Sequence, residues 1–260
     1  MKMTAKTETL LYRLLWLAEK PLRPTLRNLE DGFEAWAFRS GLLRHIRRLE
    51  AHGYVETSRD PSGGGRLHRL TEAGRLAALG GRDPEAAWSV KWDRKWRLFL
   101  FDIPETERSK RRRLTRALAA AGCGCLQGSV WIAPRVGAAL ESLVAGEESE
   151  CSQLMMLLAD SKGKGVDARM VTAAWDFDAI NERYRNALEV LGHFATHAVP
   201  EDRSAIEQWM IEDRAAWKAA FALDPLLPRE LLPEGYLGRQ AWELRKTILA
   251  RATKLLQENA

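Results

Sequence analysis

Recognisable catalytic signatures are missing from this chain. No GxSxG, HExxH, P-loop or dinucleotide-binding fingerprint occurs in its 260 residues, which removes the motif-marked routes to hydrolase, metalloprotease and nucleotide-dependent chemistry. Cysteine is scarce. Cys123, Cys125 and Cys151 are an odd number without paired CxxC spacing or a histidine cluster nearby, so neither a disulfide framework nor a zinc site is supported. His193 and His197 lie four apart on one helical stretch but lack a third ligand, which argues against a shared metal. Long apolar runs are lacking too: Leu154 to Ala159 is typical of the longest, far short of a bilayer span, and Met1 to Leu10 has no signal-peptide core. The expectation is a cytoplasmic, globular protein.

At 46% hydrophobic residues the chain can bury a sizeable core, and its length suits two or three domains. Forty basic against 35 acidic residues give a formal charge of +5 and a pI near 9.2, a mild excess whose meaning depends on where the bases cluster. The first cluster lies in residues 1–88. "TETLLYRLLWLAEK" places apolar residues at 10, 11, 14, 15 and 17, a helical spacing stopped by Pro21 and Pro24. "GFEAWAFRS" predicts a short amphipathic helix and "SGLLRHIRRLEAHG" a second, with Ser40 as N-cap and Gly53 as the stop. Leu42, Leu43, Ile46 and Leu49 belong inside; Arg44, His45, Arg47 and Arg48 face out or flank the seam. Two short strands, Tyr54 to Ser58 and Arg66 to Leu70, follow around a tip at Gly63, Gly64 and Gly65, and Thr71 caps the next helix.

Helix, short helix, basic helix, hairpin, helix is the order of a winged helix-turn-helix. The major groove admits one α-helix whose first turns reach base edges while neighbouring arginines neutralise phosphates. The expected groove contacts are therefore Arg39, Ser40, Arg44, His45, Arg47 and Arg48, with Arg66 and His68 on the wing. Seven arginines against three acids between positions 39 and 69 give the segment its charge. The "SGGG" at 62–65 sits in the hairpin, where it cannot open a phosphate-binding helix.

Residues 89–174 alternate. "KWRLFLFD" predicts a central strand, "PETERSKRRRLTRALAAAG" a helix with Pro104 in its first turn and Gly122 at its stop, and "CLQGSVWIA" a second strand. "GAALESLV" then suggests a helix and "DARMVTAAW" a third strand, while 146–166 is an excursion with a helix over Ser152 to Ala159. The pattern fits a ferredoxin-like α/β domain, though a fourth strand is not evident. The basic run Lys110 to Arg113 reads as a solvated helix face or as a phosphate contact. The ten tryptophans are mostly core, with Trp92, Trp96, Trp131 and Trp175 where strands and helices must pack. From 175 to 260 the chain predicts three amphipathic helices, the last two separated by "DPLLPRELLPEGYLG", in which Pro225, Pro228 and Pro233 forbid continuous helix. The fold class is α+β: a winged helix at 1–88, a ferredoxin-like dimerisation domain at 89–174 and a helical domain at 175–260.

Four stretches in order, "WDRKWRLFLFDIPE" at 92–105, "LQGSVWIAP" at 126–134, "WDFDAINERY" at 175–184 and "DPLLPRELLPEGYLGRQAWEL" at 224–244, resemble the PaaX-like regulators, the phenylacetic-acid catabolism repressor family. The resemblance implies a homodimeric DNA-binding repressor, not an enzyme. It also implies release from a double-stranded operator by an acyl-coenzyme A effector, phenylacetyl-coenzyme A in the best-known members, with no residue assignable to that effector. Arg94 stands where this family commonly has glycine, Cys123 where an aromatic is frequent and Gly128 where proline is usual. The middle segment also resembles the small ferredoxin-like subunit of CRISPR adaptation complexes. There an aspartate at the end of the first strand, with its two-fold copy, can hold a divalent metal for phosphodiester cleavage. Asp102 occupies that place, so the rival reading is a metal-dependent nuclease; the simpler role for Asp102 is to cap the helix that follows.

Overall fold

The computed structural model describes residues 43–59, 66–137, 154–196 and 203–258, together with Thr7, Glu8, Leu10, Leu11, Leu14, Leu140, Glu141 and Val144. It is a mixed α+β chain that divides into two compact units. One comprises Met1–Asp83, Asn186–Lys218 and Gln240–Ala260; the other comprises Pro84–Arg185 and Ala219–Arg239.

The first unit holds helix α1 (Leu43–Ala51), a hairpin of β1 (Val55–Arg59) and β2 (Arg66–Leu70), and helix α2 (Glu72–Ala78). Ile46 and Leu49 of α1 are buried with Val55 against Leu10, Leu11 and Leu14. Glycine ends α1: the Gly53 N–H donates to the Glu50 carbonyl and the Tyr54 N–H to the Leu49 carbonyl, both at 2.9 Å, the paired bonds of a left-handed helix stop. Gly53 takes φ +69, which a side chain would resist. Thr71 caps α2, its hydroxyl accepting from the Gly74 N–H at 3.0 Å and donating to the Gly53 carbonyl at 2.6 Å.

The same unit takes in parts of three long helices, α6 (Phe177–Thr196), α7 (Arg203–Leu223) and α8 (Gly238–Glu258). Leu191, Phe194, Ile206, Trp209, Met210, Ile248, Leu249 and Ala252 form their core. Beside it Asp213 and Arg245, each 1% exposed, make an ion pair with an N···O distance of 2.9 Å. The guanidinium lies 4.6 Å from the Trp217 ring centroid. Glu8 pairs with Arg214 of α7.

The second unit is built on a four-stranded antiparallel sheet in the order β4-β5-β3-β6, from β3 (Trp96–Leu100), β4 (Gly124–Gln127), β5 (Val130–Ala133) and β6 (Met155–Ala159). The order is that of a ferredoxin-like sheet, and three sequence expectations change. "CLQGSVWIA" is not one strand but the hairpin β4–β5, broken at Gly128, which turns at φ +53. Residues 155–159, expected to be helical, form the missing fourth strand at the sheet edge because β3 offers them a full register, Trp96 opposite Ala159 through Leu100 opposite Met155. "DARMVTAAW", expected to be a strand, is helix α5 (Val166–Ala174): the flanking alanines and Asp167 in the first turn outweigh the β-branched Val171 and Thr172. Helix α5 lies tight on β4, since a Cβ on Gly124 would stand 2.6 Å from the Trp175 ring.

Helix α4 (Arg108–Ala120) covers the other side, burying Leu114 and Leu118 with Phe99, Phe101, Cys123 and Trp131. A short 3-10 turn, Glu105–Glu107, precedes it, and Gly122 ends it at φ +88. Short α3 (Pro84–Ser89) opens this unit. The proline-rich connector is ordered: buried Asp224 accepts from the Tyr184 hydroxyl at 2.6 Å, from the Tyr236 hydroxyl and from the Leu226 N–H at 2.8 Å. Burial and the adjacent Asp224 carboxylate push the Tyr236 phenol far above its ordinary range. Among the described residues no helix is long and apolar enough to cross a membrane.

Candidate nucleic-acid interface

Helix α1 sorts its residues by face. Ile46 and Leu49 go to the core, and Arg44, Arg47 and Arg48, at spacings of three and four, are exposed together on the opposite side. No acid stands in the first turn of α1 and no ion pair to these three arginines is formed by the described residues. They are anchored through the backbone of a packed helix while their guanidinium groups remain in water, which is what contact with phosphates or base edges requires.

His45 is a correction. It was expected in the groove, but it is 6% exposed and its Nδ1 lies 2.8 Å from the Thr7 hydroxyl, so it joins α1 to the amino-terminal segment and is withdrawn from solvent. The helical wheel explains this: His45 is four residues before Leu49 and adjacent to Ile46, on the inward side of the turn. His68, expected on the wing, stands on β2 of the hairpin with its side chain turned away from solvent. Its side chain is 5% exposed, with Nδ1 2.8 Å from the Thr57 hydroxyl and 3.7 Å from the Glu50 carboxylate, and Thr57 donates to Glu50. Glu50 of α1, Thr57 of β1 and His68 of β2 therefore tie the basic helix to the hairpin. Sequence reasoning missed this cluster, although the signal was there: Thr57 and His68 fall opposite one another once the hairpin register is drawn.

At its outer end the hairpin sets Arg59 opposite Arg66, and one register earlier in β1 than the middle of the ladder Glu56 faces Arg69, an exposed pair 4.0 Å apart. Arg39, Ser40 and the Gly63, Gly64 and Gly65 tip lie outside the described residues. So does His197.

The other candidates resolve separately. Asp102 is exposed just beyond β3 and caps nothing: neither the 3-10 turn after Pro104 nor α4 after Glu107 has a side-chain cap bond. Among the described residues no group of three or more His, Cys, Asp or Glu is placed to hold a metal ion. Trp96, Trp131 and Trp175 are buried as expected of core residues, and Trp96 donates its indole N–H to Asp167 at 2.8 Å. Trp92 is half-buried, 5.3 Å from the Trp96 ring. Burial without a charged neighbour raises the Cys123 thiol to about 12, so it is a core residue and no nucleophile. Arg94 adopts φ +61, the left-handed region, which accounts physically for the glycine common at that place in the resembling family. Beside it Arg97 donates two bonds to Asp93, at 2.8 and 2.7 Å, and the guanidinium lowers the Asp93 carboxyl to about 2.

No curated protein matches the chain. Among solved structures, the uncharacterized protein Rv0674 from Mycobacterium tuberculosis superposes with a TM-score of 0.58 at 18% identity, over 98% of this chain and 99% of that one, a likeness of fold. Residues 89–171 match the PaaX protein central Cas2-like domain, which contains the ferredoxin-like sheet, and residues 175–258 match the PaaX-like protein C-terminal domain, which contains α6 to α8. With both domains present in order, the chain belongs to the PaaX-like family.

Proposed function

We propose that this protein is a DNA-binding transcriptional regulator, a homodimeric repressor whose amino-terminal segment is a winged helix-turn-helix. The observation that carries the reading is the face of α1: Arg44, Arg47 and Arg48 exposed in one row on a helix whose opposite row is locked in a core. A single arginine to a guanine edge discriminates by about 1–3 kcal/mol, and neighbouring arginines neutralise phosphates. Hairpin β1–β2, tied to α1 through Glu50, Thr57 and His68, is then the wing, with Arg66 and Arg69 among its basic residues. Two copies related by a two-fold axis place two such helices on an inverted repeat and exclude polymerase.

Release requires a ligand with different affinities for the operator-bound and free states. An acyl-coenzyme A is the effector class that family membership favours. Family membership also favours regulation over catalysis, and the exposed, isolated setting of Asp102 adds nothing to the nuclease reading. The deciding experiment is selection from random duplex DNA with the full-length protein, with and without acyl-coenzyme A thioesters. An enriched inverted repeat, lost in the Arg44→Ala/Arg47→Ala variant and weakened by one thioester, is the expected result. Failure to enrich any motif overturns the reading, and magnesium- or manganese-dependent cleavage abolished by Asp102→Asn replaces it with the nuclease.

A further inference from the structure

Helix α4 carries six basic residues between Arg108 and Arg116 and no acid of its own. The 3-10 turn before it supplies the counter-charges, but only for its first turn. Arg108 pairs with Glu105 at 2.6 Å, Lys110 with Glu107 at 3.0 Å, and Arg111 lies 4.0 Å from Glu105 while donating to the Ser129 hydroxyl at 3.3 Å. Arg112 and Arg116 come one and two turns later. Both are exposed, and among the described residues no acid lies within ion-pair distance of either.

Arg108, Arg112 and Arg116 recur every fourth residue, so their Cα atoms stand in a line at intervals of about 6 Å along the helix. Leu114 and Leu118 hold the opposite face against the sheet, which fixes this row toward solvent. Like charges at this spacing repel one another. A row of arginines kept in line, at the end of the helix where counter-charges stop, is matched by a ligand that repeats its negative charges.

We infer that the Arg112–Arg116 row of α4 binds the phosphate backbone of duplex DNA, as a sequence-independent surface separate from α1. Guanidinium groups hold phosphate oxygens through paired N–H bonds. A convex helix face encloses no small ligand, whereas it can lie along an extended polyanion that carries one charge per ~1.7 Å of its axis. Duplex DNA is the polyanion in question because the proposed function already brings it to this protein, and on that point the inference rests on that reading.

The test is fluorescence anisotropy of the full-length protein on a labelled duplex of scrambled sequence at several salt concentrations. Arg112→Gln/Arg116→Gln is compared with Arg112→Lys/Arg116→Lys and wild type, and circular dichroism checks the fold of each. The glutamine variant is expected to bind about fivefold to tenfold more weakly, and the slope of log affinity against log salt should fall by about two, close to 0.9 for each phosphate no longer neutralised. The lysine variant should keep the slope. A folded glutamine variant with unchanged affinity and slope overturns the inference. So does single-stranded RNA binding more tightly than duplex with the same arginine dependence, or coenzyme A binding that needs Arg112 and Arg116 while the DNA slope does not. The two readings fail separately: motif enrichment with an unmoved slope leaves the regulator and removes this surface, and an arginine-dependent slope without motif enrichment does the reverse.

Discussion

Helices α1 and α4 each present several arginines to solvent, and they do so in different settings. Helix α1 is 9 residues long, has no acid in its first turn, and is held by a core beneath it, a glycine stop and the Glu50, Thr57 and His68 tie to the hairpin. Helix α4 is 13 residues long, lies across a sheet, and has its first turn answered by Glu105 and Glu107. The density of arginine is similar, so density alone does not distinguish a surface proposed to read bases from one proposed to bind phosphates generally. The scaffold does: α1 is tied to a hairpin through Glu50, Thr57 and His68, and α4 is packed on a four-stranded sheet.

The strongest way to break the comparison is from below. Leu49→Ala in the core under α1 and Leu118→Ala in the core under α4 remove side chains of equal size, each 0% exposed, and each should cost about 2–5 kcal/mol in denaturant unfolding. Only Leu49→Ala is expected to abolish sequence-selective DNA retention at a temperature where the rest of the chain stays folded by circular dichroism. Equal loss of selectivity in both variants would erase the distinction between the helices.

Next in size is the surface itself. Arg44→Ala/Arg47→Ala should weaken operator binding by about a hundredfold or more, given ~1–3 kcal/mol for each specific contact, without moving the midpoint of thermal unfolding. An effect as large on scrambled DNA would make α1 a second α4. Smaller again is the cap after the hairpin: Thr71→Ala removes the bonds to Gly74 and Gly53 and should lower stability by about 1 kcal/mol, measured by denaturant titration.

Two tests concern the strand beneath α4. Asp93 titrates near 2 in the folded chain against an ordinary value of 3.8, so its bond to Arg97 stabilises the protein above that ordinary value and is lost as pH falls toward 2. Asp93→Asn should therefore lose less stability than wild type between pH 5 and pH 2; because Asp93 is about half exposed, the difference should be small. Smallest of all, Arg94→Gly relieves a left-handed residue and should raise stability by no more than about 1 kcal/mol, read as a slightly higher unfolding midpoint.

Much of the segment from α1 through the hairpin to α2 was legible because its signals are local. Gly53 and Thr71 mark helix ends by chemistry that acts within four residues, and the two strands of the hairpin flank a run of turn formers. His45 was misplaced because its arginine neighbours suggested an outward face, whereas its spacing to Leu49 pointed inward. In the second unit the β3 strand and α4 were equally plain, and Gly122 stops α4 where expected. What sequence concealed was non-local. "MMLLA" at 155–159 has neither alternation nor β-branching, and it becomes a strand only because β3 has a free side to pair with. "DARMVTAAW" carries a valine and a threonine that suggest extension, yet it lies as a helix on β4 at a place where Gly124 permits close approach. The register of a sheet is a property of its partners, and neither segment contains it. The Glu50, Thr57 and His68 cluster could be found only after pairing the two hairpin strands in register.

Gly74 gives the molecule a measurable intolerance. The backbone of α2 comes so close to Tyr54 that a Cβ at position 74 would overlap the Tyr54 carbonyl, and Tyr54 is the residue from which the hairpin departs. Every side chain except hydrogen is too large there, whatever its polarity. A library randomised at position 74 and sorted for operator retention should return glycine almost alone, while one randomised at the exposed neighbour Arg75 should return a broad alphabet. The distance from helix to hairpin is thus inherited as a single atom's worth of empty space.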